Sequence, residues 1–173
     1  SQELEAVVKI SSLLAGPGSF EEKAGPVTEE LARVAQAKWV TLRVSAEEER
    51  GLRLVTAADA GTRESSMAPV IPYGQRMVGR TFQWGEGVAT NQYASSPYAL
   101  PHFASLGQES VMALPIKAGG RVRGTVSIAT RKPGHFTPER ITLLKAIADG
   151  LGPPLENARL YEERREVEER AQE

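Results

Sequence analysis

The feature that most constrains the fold is a pair of apolar segments in the second half of the chain, joined by a glycine turn. They read SVMALPIK and VRGTVSIAT, with AGGR between them. Both are rich in β-branched and other apolar residues and are bounded by turn residues, which is the pattern of a β-hairpin. Because side chains alternate between the two faces of a strand, the sequence also indicates which residues share a face.

The two faces of this hairpin differ in the size of their side chains. One face carries the large apolar residues Met112, Leu114, Ile116, Val122, Val126 and Ile128, which suit packing against helices. The other face is small and partly polar, with Val111, Ala113, Thr125, Ser127 and Ala129. Small residues on a face that must be covered leave room for a ligand pocket. The alternative is that the covering side chains fill the space themselves.

Periodicity in the rest of the chain predicts helices at both ends and a second hairpin. Helical spacing predicts helices at about 4–14, from Ser19 as N-cap to about 37, from Thr137 as N-cap onward, and from about 153 to the end. Alternating patterns predict paired strands at Trp39–Ser45 and Gly51–Ala58. This order predicts an α+β fold, an antiparallel sheet with helices packed on one face.

A long middle segment, residues 74–107, separates the two hairpins. It contains GQRMVGRTFQWGEG and YALPHFASLG, which predict short helices. Between them, GEGVATNQYASSP predicts a short strand, Val88–Thr90, followed by a polar turn. No residue of that turn is a nucleophile with a base beside it, so we expect it to cover the sheet.

Taken in order, these segments resemble the GAF domain family, the small-molecule sensory modules of signalling proteins. The strongest part is ESVMALPIKAGGRVRGTVSIATRKPGHFTPERITLLKAIAD, which is similar to that family's two strands, glycine turn and Phe-Thr helix start. YGQRMVGRTFQWGEGVATNQYASSP resembles the family's middle pattern, with Gln92 in place of an acid. LENARLYEE resembles the terminal helix of such domains. The resemblance runs from about Leu4 to Tyr161.

The resemblance implies a GAF/PAS-like arrangement, with a loop and short-helix roof over the second face of the sheet. It divides the chain into an N-terminal flanking helix (1–18), a GAF-like core (19–152) and a C-terminal signalling or coiled-coil helix (153–173). The candidate pocket residues of the roof are Trp84, Tyr93, Ser96, Tyr98, His102 and Phe103. Together with the small-residue face of the hairpin, they form the candidate ligand site.

The two histidines have different predicted environments. His102 lies in the roof, where it is a ligand contact, a haem axial ligand or a core histidine held by one hydrogen bond. His135 lies in the turn-rich stretch KPGHFTP, where we expect it to be exposed to solvent. Two histidines without any cysteine make a transition-metal site a poor fit to the chain.

Composition excludes several further classes of function. The 173-residue chain has no cysteine, which excludes disulfides, cysteine nucleophiles and a bilin attached through a thioether. The family's enzymes that reduce oxidised methionine rely on cysteines, so their chemistry is not expected here. The net charge of −1 and the absence of long apolar stretches argue against nucleic-acid and membrane partners. The absence of cysteine fits a cytoplasmic location. The Asn-Lys-x-Phe signature of cyclic-nucleotide-binding relatives is also missing.

Both ends of the chain carry apolar residues in charge-rich helices. The C-terminal stretch ENARLYEERREVEERAQE has the spacing of a thin coiled-coil seam. Pairing with the N-terminal helix in a homodimer would strengthen that seam. The predicted dimer residues are Leu4, Val7, Val8, Leu160 and Val167.

These observations predict a sensory domain that is not itself an enzyme. We expect it to belong to a bacterial-type signalling protein, such as a sensor histidine kinase of a two-component system. A small ligand of unknown identity would shift the roof, and dimeric flanking helices would pass the change to an effector domain of the same chain. The alternatives are a ligand-free dimerisation module, a haem sensor and, least favoured, an enzyme that uses a serine or His102.

Overall fold

The computed structural model describes residues 2–59 and 68–172 and confirms the predicted α+β fold. Its strands are β1 (Trp39–Ala46), β2 (Gly51–Asp59), β3 (Val70–Pro72), β4 (Val88–Thr90), β5 (Ser110–Ala118) and β6 (Arg121–Thr130). Its helices are α1 (Gln2–Ala15), α2 (Phe20–Ala35), α3 (Arg76–Trp84), α4 (Pro101–Ser105), α5 (Pro138–Gly150) and α6 (Gly152–Ala171). The strands form one antiparallel sheet in the order β3-β2-β1-β6-β5-β4.

Two helices begin at the capping residues that the sequence indicates. The Ser19 hydroxyl accepts a hydrogen bond from the backbone N–H of Glu22 at 3.2 Å, and the Thr137 hydroxyl accepts one from Arg140 at 3.3 Å. Each bond satisfies an amide that the first helical turn leaves without a partner. Pro26 lies inside α2 without dividing it. A break at Leu151, directly before Gly152, Pro153 and Pro154, separates α5 from α6.

The large apolar face of the sheet packs against the flanking helices. Met112, Leu114, Ile116, Val126 and Ile128 lie in one buried cluster with residues of α1, α2, α5 and α6. The register aligns this face across three strands, because Ile128 of β6 is opposite both Val40 of β1 and Met112 of β5. The helix-facing half of the fold is therefore a continuous apolar core.

His135 is buried, contrary to the expectation that it is exposed. Its side chain is 4% accessible, and its Nε2 lies 2.6 Å from the backbone oxygen of Ala35. That oxygen is among the last carbonyls of α2, which have no partner within the helix, so the imidazole N–H donates to it and caps the helix end. The turn before α5 folds back onto α2, a contact that local sequence does not reveal.

The opposite face of the sheet is covered by the middle segment. Helix α3 packs on β5 and β6, and a second buried cluster joins it to Trp39, Tyr93, Val111 and Ala129. The turn after β4 is fixed by Asn91, whose side-chain oxygen accepts from the backbone N–H of Phe136 at 3.0 Å. Its amide nitrogen donates back to the Phe136 carbonyl at 3.4 Å. The roof is thus anchored to the segment that leads into α5.

Within residues 2–59 and 68–172, none of the helices combines the length and apolar character that crossing a bilayer requires.

Candidate functional site

The roof does not fill the space above the sheet completely. A cavity of about 100 Å³ remains between β1, β5 and β6 below and the segments from α3 to α4 above. For comparison, an engineered apolar protein cavity of about 150 Å³ binds benzene. A cavity of this size admits a small molecule of a few heavy atoms.

Part of the candidate ligand site lines this cavity. From the roof, Tyr93, Tyr98 and Phe103 contribute to its walls. From the hairpin, the lining includes Val111, Ser127 and Ala129. The register explains the hairpin set, because Val111 is paired with Ala129, and Ser127 is next but one along the same face of β6.

Three roof residues of the candidate site lie outside the cavity. Trp84 is 58% exposed. The first turn of α3 lines the cavity, and Trp84 lies about 12 Å beyond Arg76 along the helix axis. His102 is exposed on the outer side of α4, while the adjacent Phe103 lines the cavity. The Ser96 hydroxyl donates to the Tyr93 carbonyl at 2.7 Å, so it shapes the loop instead.

Two hairpin residues of the candidate site are covered rather than open to the cavity. Ala113 and Thr125 are fully buried and do not belong to the lining. The Thr125 hydroxyl has no hydrogen-bond partner among the described residues. The open space is therefore shorter along the hairpin than alternation alone indicates.

Strand β1 and the first turn of α3 also line the cavity, although none of their residues is among the predicted site residues. From β1 the lining includes Trp39, Thr41 and Arg43; from elsewhere it includes Ile71, Arg76, Met77, Val78, Leu100 and Gln108. Alternation in WVTLRVS does place the β1 residues on one face. The missing information was that β1 pairs with β6, where Thr41 is opposite Ser127 and Arg43 is opposite Thr125.

Arg43 is the most unusual residue of the cavity, because it is a charged side chain that is only 3% exposed. Its Nη1 donates to the backbone oxygen of Leu52 at 3.1 Å. Burial, together with the positive charge of Arg76, lowers the pKa of Arg43 to about 10. The guanidinium remains charged at neutral pH.

A second guanidinium, that of Arg76, lines the same cavity at the first residue of α3. Its Cζ lies 5.9 Å from the centre of the Phe103 ring, within range of a cation–π contact. Its φ angle of 60° is in the left-handed region, which costs a residue with a side chain about 1–2 kcal/mol. The strain persists at a position where the side chain enters the cavity wall, which is a common property of functional positions.

The remaining polar groups of the cavity are neutral. Thr41 and Ser127 hydrogen-bond to each other through their hydroxyls. The Tyr93 hydroxyl accepts a hydrogen bond from the Leu100 backbone N–H at 3.0 Å, and burial raises the pKa of Tyr93. Among the described residues that line the cavity there is no Asp, Glu or His. A hydroxyl nucleophile in this lining would therefore have no carboxylate or imidazole base beside it.

Comparison with known families and structures agrees with this architecture. A sequence model of the GAF domain matches residues 19–152. No curated protein sequence is similar enough to the chain to count as a match.

Solved structures similar to this chain include domains from two kinds of protein. One is the GAF domain of an Acinetobacter phosphoenolpyruvate-protein phosphotransferase, with a TM-score of 0.80, 13% identity and coverage of 94% of this chain and 98% of the other. The corresponding domain from Coxiella burnetii gives a TM-score of 0.79, 14% identity and coverage of 95% and 96%. The free methionine-R-sulfoxide reductase of Neisseria meningitidis, in complex with its substrate, gives 0.79, 18% identity and coverage of 92% and 91%. At these identities the likeness concerns the fold.

Proposed function

The chain belongs to the GAF domain family, and on that premise we propose that it is a non-catalytic sensory domain of a bacterial-type signalling protein. A small ligand occupies the cavity, and the terminal helices carry its effect to an effector, such as a histidine kinase, in the same parent chain. The observation that carries the proposal is the cavity itself, with two arginines in its wall. If this face of the sheet served only to stabilise the fold, close-packed side chains would fill the space above it.

The proposal that the domain is not an enzyme follows from its residues. The methionine sulfoxide reductases share the fold, and the family resemblance implies that such enzymes use cysteine, which this chain lacks. Haem is not part of the proposal, because His102 is exposed and lies outside the cavity. A cytoplasmic location remains a prediction.

The contacts at the base of α6 supply a route from the cavity to the C-terminal helix. A Cβ on Gly124 of β6 would lie 2.5 Å from the Arg43 carbonyl oxygen and 3.3 Å from Cδ2 of Leu155. The strand that carries Arg43 and the first turn of α6 thus meet at one glycine. A Cβ on Gly152 would lie 2.1 Å from the Lys117 carbonyl oxygen, so α6 begins directly against β5. Movement of these strands would displace α6.

The exposed apolar residues of the terminal helices support the proposed homodimer. The predicted dimer residues are all exposed large hydrophobics, namely Leu4, Val7, Val8, Leu160 and Val167. Beyond its first turns α6 is exposed and has ion pairs within the helix, including Arg159–Glu163 at 2.6 Å and Arg165–Glu169 at 3.1 Å. Such pairs each stabilise an isolated helix by about 0.2–0.5 kcal/mol, and burying the apolar residues in a dimer would stabilise it further.

Native mass spectrometry of the 173-residue chain tests ligand binding and dimerisation together. We expect a dimer that carries a small bound mass after incubation with a cell metabolite extract. Ala129→Leu adds bulk to the cavity wall and should remove that mass, whereas Ala89→Leu, at an exposed position of β4, should retain it. A dimer without bound mass in the native chain and both variants would instead support the ligand-free dimerisation module.

The dimer is tested separately by charge substitution. Leu160→Glu combined with Val167→Glu should give a monomer in light scattering, because the acidic side chains would repel across the seam. Arg164→Ala, on the same exposed helix, is the control and should remain dimeric. If the double variant also remains a dimer, the interface does not involve this helix.

A further inference from the structure

The cavity holds positive charge that nothing in the described structure neutralises. Arg43 has a guanidinium with five N–H donors, and its one hydrogen bond within the described residues goes to the Leu52 carbonyl. None of the ion pairs formed within residues 2–59 and 68–172 involves Arg43 or Arg76. A buried charge is costly unless a partner compensates it, so this arrangement calls for a counter-charge in the cavity.

The first turn of α3 adds to the positive character of the same site. Arg76, Met77 and Val78, its first residues, all line the cavity. The positive end of the helix dipole is therefore next to the guanidinium groups. The preceding residue, Gln75, makes no side-chain capping bond in the described structure, so the amides at this helix start are not all satisfied by the chain.

The other walls determine what kind of anion fits. They are largely apolar, with Trp39, Ile71, Val111 and Ala129 among them. Inorganic phosphate would leave these walls without apolar contacts. A short carbon chain that ends in a carboxylate suits both the arginines and the apolar walls. Guanidinium groups bind carboxylates through paired hydrogen bonds, and the carbon chain packs against the walls.

We propose that the ligand of this cavity is a small organic carboxylate, held by the guanidinium groups of Arg43 and Arg76 with its carbon chain against the apolar walls. This inference rests on the proposed function, since it requires the cavity to be a ligand site. The cavity volume of about 100 Å³ sets the size at a few carbon atoms. Arg43 anchors the carboxylate from the sheet, and Arg76 closes over it from the roof.

Calorimetric titration at constant ionic strength tests the charge requirement with defined probes. Butyrate represents the proposed class, butyramide is its neutral isostere, butylammonium reverses the charge, and inorganic phosphate is an anion without a carbon chain. We expect butyrate to bind at least tenfold more tightly than butyramide and phosphate, and butylammonium not to bind.

Matched arginine variants test the assignment to the two residues. Arg43→Met and Arg76→Met should each weaken butyrate binding tenfold or more. Arg80→Met is the control, because Arg80 is on the same helix and lies over the Tyr98 ring at 5.2 Å, yet does not line the cavity. Arg43→Lys retains the charge without the paired geometry and should bind more weakly than the native chain, which keeps the test valid if Arg43→Met folds poorly.

The outcomes separate this inference from the proposed function. If butyramide binds as tightly as butyrate, the carboxylate assignment is wrong and the ligand site stands. If Arg80→Met weakens binding as much as Arg76→Met, the assignment of the carboxylate to Arg76 is wrong. If none of the four probes binds, the carboxylate assignment is also wrong. The proposed function is then decided by the bound mass in native mass spectrometry.

Discussion

Glu30 and Arg43 are both charged and almost completely buried, at 4% and 3% exposure, but only one of them is neutralised within the described structure. Glu30, in the helical layer, has Lys9 Nζ at 3.0 Å and receives a hydrogen bond from Arg33 Nε at 3.1 Å. Arg43, on the cavity face, donates one hydrogen bond to the neutral backbone carbonyl of Leu52. The helical layer completes its own electrostatics, whereas the cavity face leaves a charge for a partner from outside.

The same contrast holds for the packing of the two faces. Leu114 and Ile128 on the helix-facing side are essentially inaccessible and surrounded by other apolar side chains. The cavity face has short and polar side chains such as Thr41 and Ser127 beside an open space. One face stabilises the fold, and the other gives up part of that stability for a site.

The largest expected effect comes from truncating the same residue type on the two sides. Leu114→Ala on the helix-facing side should reduce the free energy of unfolding by about 2–5 kcal/mol, because it opens a new void in a filled core. Leu100→Ala, which borders an existing cavity and is half-buried, should cost about 1 kcal/mol. Urea unfolding of both variants measures the difference. Equal costs would mean that the two faces are packed to the same degree.

The next largest effect is an increase, not a decrease, in the free energy of unfolding. Arg43→Met should raise the free energy of unfolding of the unliganded chain by about 1–3 kcal/mol, because it removes a buried charge that lacks a counter-ion. Since the pKa of Arg43 is lowered to about 10 on folding, the unfolded state binds the proton more tightly. The cost is therefore present at neutral pH and is relieved only as the pH rises above about 10.

Thermal unfolding without and with butyrate checks this expectation. The variant should melt higher than the native chain without butyrate and should gain less from its addition. If Arg43→Met melts lower in both conditions, the bond to the Leu52 carbonyl stabilises the fold, and the charge is not held for a ligand.

The fold was predictable because its determinants are local or periodic. Alternation in the second hairpin placed Met112 and Ile128 on the helix-facing side, and the caps at Ser19 and Thr137 fixed two helix starts. These signals depend on neighbouring residues and on periods of two or 3.6. They survive in any tertiary context that buries the apolar face.

The site was less predictable because it depends on which strands and segments meet. Arg43 could be placed in the cavity only once β1 was known to pair with β6. The histidines show the same limit, since His135 is buried by a contact with α2, a hundred residues earlier, and His102 is exposed beside an inward-facing Phe103. The burial of these residues is decided by long-range contacts, which one sequence does not encode in its local pattern.

A smaller effect distinguishes two threonines of the cavity face. The Thr125 hydroxyl is buried and has no partner in the described part of the chain, so Thr125→Val should stabilise the fold by about 1 kcal/mol. Thr41→Val removes the partner of the Ser127 hydroxyl and should destabilise it by a similar amount. Urea unfolding of both variants measures this. If both destabilise, Thr125 has a polar partner that completes the cavity.

The smallest expected effect is the acid dependence of the helical layer. Hydrogen bonding from Arg33, together with the charge of Lys9, lowers the pKa of Glu30, although burial alone would raise it. Because the folded-state pKa is below the unfolded value of 4.5, the contribution of Glu30 is complete above about pH 4.5 and is lost as the pH falls further. Both partners are more than half exposed, which limits the contribution to less than about 1 kcal/mol.

Urea unfolding at pH values from about 3 to about 7 measures this contribution, because a carboxyl group titrates within that range. The native chain should lose more stability on acidification than Glu30→Gln. Glu29→Gln, one residue away and exposed, should follow the native chain. If Glu30→Gln instead parallels the native chain, the ion pairs of the helical layer contribute nothing measurable, and its buried charge is no better compensated than that of Arg43. The two faces would then differ only in packing, and the buried charge of Arg43 would no longer be an argument that the cavity binds an external anion.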